Sequence, residues 1–160
     1  MKKLPMILLL TAPYVLLLGF FGSVSADSDG PALAGLSFFL VCLLCGMVYA
    51  FAMPRLGFTA RQILFWNMVL KLGFIPFYVF ILLIVLVTNV MLIPALPFIL
   101  FVEYLLLLSS GMYGISGLKC AYTNGRVSKI FLVVNIAAHL CFCMDVVSAV
   151  FCYRKLKKSV

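Results

Sequence analysis

The chain has 160 residues, 66% of them hydrophobic and 10% charged, with a formal net charge of +8, whereas an ordinary soluble domain is about half apolar and a quarter charged. A soluble fold of this size has no interior large enough for so much apolar surface. Nucleic-acid recognition, which needs Lys and Arg gathered on one solvated surface, is excluded too, because the basic residues sit in short joints: Lys2 and Lys3, Arg55 and Arg61, Lys119, Arg126 and Lys129, then Arg154, Lys155, Lys157 and Lys158.

Apolar stretches of about 18 residues or more are what a hydrocarbon layer roughly 30 Å thick selects. They predict one transmembrane domain over residues 1–160, an all-α polytopic transmembrane helical bundle of four to five spans. The first span covers about 4–24, with Pro13 in mid-helix, where it frees a carbonyl and bends the helix. It ends in Val24-Ser25-Ala26, the small-residue spacing of a signal peptidase site. The apolar run is longer than most signal cores and the next span follows within a few residues, so a retained helix is expected. The second span covers about 32–53, entered through Asp27 to Pro31 and left through Pro54 to Gly57. The third, about 63–90, exceeds a perpendicular crossing. Trp66, Asn67 and Lys71 in its first turns place residues 63–72 partly at the interface, with Trp66 an anchor, before Gly73 and Pro76 redirect the chain. Pro94 and Pro97 mark a short loop, and the fourth span covers about 97–118. Asn124-Gly125 is a turn signal. The fifth span covers about 130–153, ahead of a basic tail.

Short joints rich in Lys and Arg face the cytoplasm. In a cell membrane this puts the N-terminus, the Arg55 joint and the Lys119 joint inside, with the Asp27 turn and the Pro94 loop outside. The tail disagrees, since a fifth crossing exports its four basic residues. Either the first spans dominate or one stretch fails to cross, and five crossings are the expectation adopted.

A charge at mid-helix in the bilayer is unfavourable by about 2.5 to 3.5 kcal/mol, so each needs a partner or a wet cavity. The intramembrane polar residues are Asn67, Lys71, Glu103, Asn135, His139 and Asp145. At about 1.5 Å per residue, Lys71 and His139 fall roughly 12 to 14 Å from the cytoplasmic ends and Glu103 with Asp145 roughly 21 to 23 Å. Asn67 and Lys71 share a helical face, as do Asn135 and His139. Two carboxyls at one depth would hold a proton or a cation. The preferred reading is plainer: the polar groups bind helices together, and Glu103 and Lys71 snorkel to the nearer interface. A bridge from Lys71 to a carboxylate needs its side chain to reach outward across the layers, which a kink at Pro76 allows, and Asp145 is the partner expected if the buried charges neutralise each other. Ser110, Gly114 and Gly117, with Ser109, Gly111 and Ser116 around them, form a small-residue face suited to close helix packing.

Five of the six cysteines lie in apolar stretches, which is no secreted disulfide framework, and all six are expected to be free thiols. Cys42 and Cys45 have the spacing of a redox dithiol, but an embedded thiol has a raised pKa and low reactivity. No phosphate loop or Ser/His/Asp set is present. His139 is the sole histidine, which excludes a histidine-rich metal site. No metal, cofactor or catalytic group is expected.

The runs Pro54-Arg55-Leu56-Gly57, Phe65-Trp66-Asn67-Met68 through Lys71, Ile75-Pro76-Phe77-Tyr78, Ser109 through Leu118, and His139 through Ala149 resemble a family of small uncharacterised bacterial multi-pass membrane proteins, over roughly residues 50–155. The resemblance implies an architecture and no mechanism. The expected function is therefore that of a non-enzymatic membrane component, an accessory, assembly or immunity-type protein working through helix packing. Its partners would be membrane lipids and either another membrane protein or a second copy, without nucleic acid. The alternative is a small-solute or cation/proton transporter subunit using Lys71, Glu103, His139 and Asp145.

Overall fold

The structure, a computed structural model, describes residues 3–88, 96–139 and 142–158. Those residues form α1 (Leu4–Ala26), α2 (Gly30–Ala52), α3 (Ala60–Thr88), α4 (Leu96–Thr123), α5 (Lys129–Ala138) and α6 (Phe142–Lys158), with no strand among them. By length and composition, four helices are suited to cross a membrane: Leu4–Ala26, Gly30–Ala52, Ala60–Leu86 and Pro97–Thr123. The Pro94 loop lies outside the described residues.

Local chemistry sets the helix ends. Asp27 takes a left-handed conformation (φ 49°) to close α1, and a proline in the first turn, where no N–H partner is lost, opens α2. A reciprocal capping box starts α3: the Thr59 N–H donates to Gln62 Oε1 at 3.0 Å and the Gln62 N–H to Thr59 Oγ1 at 3.3 Å. Gly125, at φ 68°, makes the turn after α4, and the Ser128 hydroxyl caps α5 by accepting from the Phe131 N–H at 3.3 Å.

Contacts fix the direction of each helix. α1 and α2 are antiparallel and nearly touch: a Cβ on Gly19 would lie 2.5 Å from the Pro31 carbonyl oxygen and 3.2 Å from Gly35 Cα. The Tyr14 hydroxyl donates to the Gly73 carbonyl, and Phe21 meets Phe80, so α1 and α3 run the same way. Gly117 packs on Leu64 and Gly114 on Asn67, so α4 returns along α3. A core from Met6, Phe39, Leu70, Phe74, Leu106 and Tyr113 joins the four. Residues 63–72 belong to one continuous helix with the rest of α3, and neighbouring helices cover one side of the stretch, where Ile63, Leu64, Asn67, Leu70 and Lys71 are buried.

The single crossing read over residues 130–153 is two shorter helices folded against each other. Phe131 meets Phe151 at 6.1 Å between ring centroids, and Lys155 Nζ lies 3.7 Å from the Phe131 centroid. Asn135 bonds to Ser148 and Cys152, and His139 bonds to Asp145. As one position climbs the other falls, which is the signature of an antiparallel pair. A continuous helix would separate residues 135 and 152 by about 25 Å. α5 has only 10 residues, so its rise is about 15 Å, half of a 30 Å core. α5 and α6 therefore form an antiparallel hairpin rather than one continuous helix long enough to cross. A second apolar cluster confirms where it returns: Leu156 and Cys152 pack with Ala60, Leu64, Leu118, Ala121 and Val127, the start of α3 and the end of α4.

The direction of every helix now gathers Lys3, Arg55, Arg61, Lys119, Arg126, Lys129, Arg154 and Lys155 at one end of the bundle. The conflict raised by the basic tail disappears, because the tail comes back to the end it would have left. Cysteines introduced singly at Arg126 and Arg154, both exposed, should be labelled by a membrane-impermeant maleimide from the same side, and one at Asp29 from the other. Labelling of positions 126 and 154 from opposite sides would restore a fifth crossing.

Candidate functional site

The hairpin tip carries the charged groups of the bundle interior. Asp145 lies in the first turn of α6, where a carboxylate is favoured by the positive end of the helix dipole. Its Oδ1 forms an ion pair with Lys71 Nζ of α3 and lies 2.9 Å from His139 Nδ1, at the C-terminal end of α5. Lys71, His139 and Asp145 are only 2%, 0% and 3% exposed. The ammonium and the carboxylate cancel. An ionised carboxylate can only accept, so His139 Nδ1 carries the shared proton and donates it. With a neutral imidazole the cluster has no net charge, which makes its burial tolerable.

His139 Nε2, both amide atoms of Asn67 and the Tyr113 hydroxyl are buried without a hydrogen-bond partner. The imidazole and the amide converge on Gly114 of α4: a Cβ there would lie 2.5 Å from His139 Nε2, 2.6 Å from its Cδ2 and 3.0 Å from Asn67 Nδ2. Only glycine leaves room for both. One turn nearer the basic end, a second polar set ties the hairpin arms. Asn135 Oδ1 accepts from Ser148 Oγ at 2.9 Å and from Cys152 Sγ at 3.1 Å, while its Nδ2 donates to the Phe131 carbonyl at 2.8 Å.

Of the expected polar residues, Asn67, Lys71, His139 and Asp145 come together, and Asn135 stands in the adjoining set. Glu103 does not join them. It is half-buried beside Leu16, Leu17, Phe77, Ile81 and Val102, about 16 Å along α4 from Gly114. The expected layer of two carboxyls is thus not formed. A continuous fifth helix would carry Asp145 outward to the depth of Glu103, whereas the reversal brings Asp145 down to the level of Lys71 and His139. Ser148 and Cys152, four apart on α6, were missed for the same reason: they face Asn135 only when α6 runs backwards.

The small-residue face is occupied within the chain. Ser110 is buried and its hydroxyl donates to the Leu107 carbonyl at 3.1 Å, Gly114 receives His139, and a Cβ on Gly117 would lie 2.8 Å from Leu64 Cγ. Cys42, Cys45, Cys120 and Cys152 are free thiols; Cys141 and the Cys143 side chain lie outside the described residues. Among the described residues no three His, Cys, Asp or Glu side chains group as metal ligands.

Apolar spanning helices around a neutral, sealed ion cluster define a helical bundle of the membrane-embedded class. The chain belongs to a family of unknown function, DUF6652, which matches residues 34–158 and so takes in every residue of the cluster. No curated protein and no solved structure matches the chain.

Gly114→Ala should destabilise the bundle by about 1 to 3 kcal/mol through overpacking, read as a lower melting temperature in detergent. Gly30→Ala, where an added Cβ meets nothing within 4 Å, should shift it little. Equal effects at the two positions would contradict the convergence of His139 and Asn67 on Gly114.

Proposed function

We propose that the protein is a non-enzymatic, multi-pass component of the cell membrane that works through packing, as an accessory, assembly or immunity-type protein, with its basic end facing the cytoplasm. The observation that carries this reading is the pairing of Lys71 with Asp145 in a site closed to solvent. A group that binds and releases a solute must be reached by it, and here the carboxylate is already neutralised by its own chain. The orientation rests on the positive-inside rule, which all the basic joints and the tail now obey together.

A carrier of small solutes, cations or protons is the second reading. One observation favours it: the unpartnered atoms of His139, Asn67 and Tyr113 leave polar capacity that a guest would use. Glu103 adds nothing to it, being remote from Asp145.

Removing one partner and then both separates the two. Asp145→Asn strands a buried ammonium and should lower stability by about 3 to 5 kcal/mol. Adding Lys71→Met should recover much of that loss, and a double-mutant cycle of thermal melts in detergent measures the coupling. Additivity within about 0.5 kcal/mol would remove the structural pair. Proton or cation flux in proteoliposomes that disappears in Asp145→Asn without a loss of stability would establish the carrier instead.

A further inference from the structure

The hairpin arms enclose a groove of about 450 Å³ on the outer surface of the bundle. Its walls are apolar and largely exposed, with Val134 on α5 and Met144, Val147 and Phe151 on α6, and Lys155 stands at its mouth beside Ser128. The polar atoms of Asn135 and Ser148 within it are engaged with each other and with Phe131, so the depth of the groove offers hydrocarbon rather than hydrogen bonds. Its length follows α5, about 15 Å, which is the depth of one leaflet.

The mouth has a charge that the chain itself does not balance. The acidic residues are Asp27, Asp29, Glu103 and Asp145. Asp145 is paired with Lys71, Asp27 and Asp29 lie between α1 and α2 at the opposite end, and Glu103 is toward that end of α4. Among the described residues the basic end therefore has no acidic side chain, and Lys155 rests on the Phe131 ring. The basic mouth is open to an anion from outside the bundle. A ligand with an anionic head at the interface and a hydrocarbon tail one leaflet long matches both features.

We infer that the groove between α5 and α6 is a binding site for one anionic phospholipid. An acyl chain lies along Val134, Met144 and Val147, and the head-group phosphate is held by Lys155, with Lys129 close by at the start of α5. The site is separate from the ion cluster, and it depends on the hairpin rather than on the packing role proposed above.

The test uses the full chain in nanodiscs of phosphatidylcholine doped with phosphatidylglycerol that bears a diazirine midway along one acyl chain. Adducts should concentrate on Val134, Met144 and Val147. They should fall several-fold with unlabelled phosphatidylglycerol as competitor, far less with phosphatidylcholine, and several-fold in Lys155→Gln. Val147→Trp, which fills the groove from an exposed position, should remove them even where the charge is intact. Both variants are checked for unchanged melting in phosphatidylcholine alone. Adducts spread equally over exposed positions of α1 and α2 such as Leu18 and Val48, or a yield indifferent to Lys155 and Val147, would overturn the site. Equal competition by an acidic peptide would assign the basic mouth to a protein partner instead.

Discussion

An ionised carboxylate in the hydrocarbon layer needs a partner or a wet cavity, and Asp145 finds Lys71. Most of the membrane-embedded C-terminal part of the chain follows from that requirement. The pair joins α3 to the first turn of α6, His139 adds the end of α5, and the three elements are held at one depth. Were α6 to continue upward from α5, Asp145 would stand about 9 Å beyond His139, out of reach of its imidazole, and would meet Lys71 only through a side chain stretched across the layers. The reversal removes both problems. Asn135, with Ser148 and Cys152, repeats the device one turn lower by joining the two arms directly.

Backbone approach is the other constraint. Lipid tails are as apolar as Leu side chains, so helices in a bilayer gain little from hydrophobic burial against one another and rely on close packing. The contacts at Gly19 and Gly35, at Gly46 against Leu9, and at Gly114 and Gly117 are places where a missing side chain lets a neighbour come near. At Gly114 the neighbour is the imidazole and the amide of the ion cluster, so the packing face of α4 and the polar site are one feature.

The helical, membrane-spanning character was legible from hydropathy alone, because four uninterrupted apolar runs have no other stable home. The grouping of Asn67 with Lys71 and of Asn135 with His139 was legible from helical spacing. What spacing could not reveal was direction. Residues 130–153 are apolar throughout, and nothing between His139 and Phe142 in the sequence is a strong turn signal of the Gly or Pro kind. The basic tail did hold the clue, since four cations on the exported side violate the charge rule, and non-crossing was the alternative that the structure adopts. Depth counted along one helix placed Asp145 with Glu103, and folding the helix back placed it with Lys71 and His139. The contact of Gly19 with Gly35 was not legible, because single glycines in two separate apolar runs carry no spacing signal of the kind that Ser110, Gly114 and Gly117 share on one helix.

The antiparallel hairpin brings His139 and Asp145 together, so the direct test is a distance. Spin labels at Lys129 and Arg154, both exposed, would be about 37 Å apart along a continuous helix. Two helices packed about 8 to 10 Å apart bring the labels to roughly 10 to 20 Å, allowing for their reach. Pulsed dipolar spectroscopy on the full chain in nanodiscs should give a single narrow distribution in the shorter range. A distribution centred near the longer distance would mean that α5 and α6 are one continuous helix, and the contact of His139 with Asp145 would have to be abandoned with it.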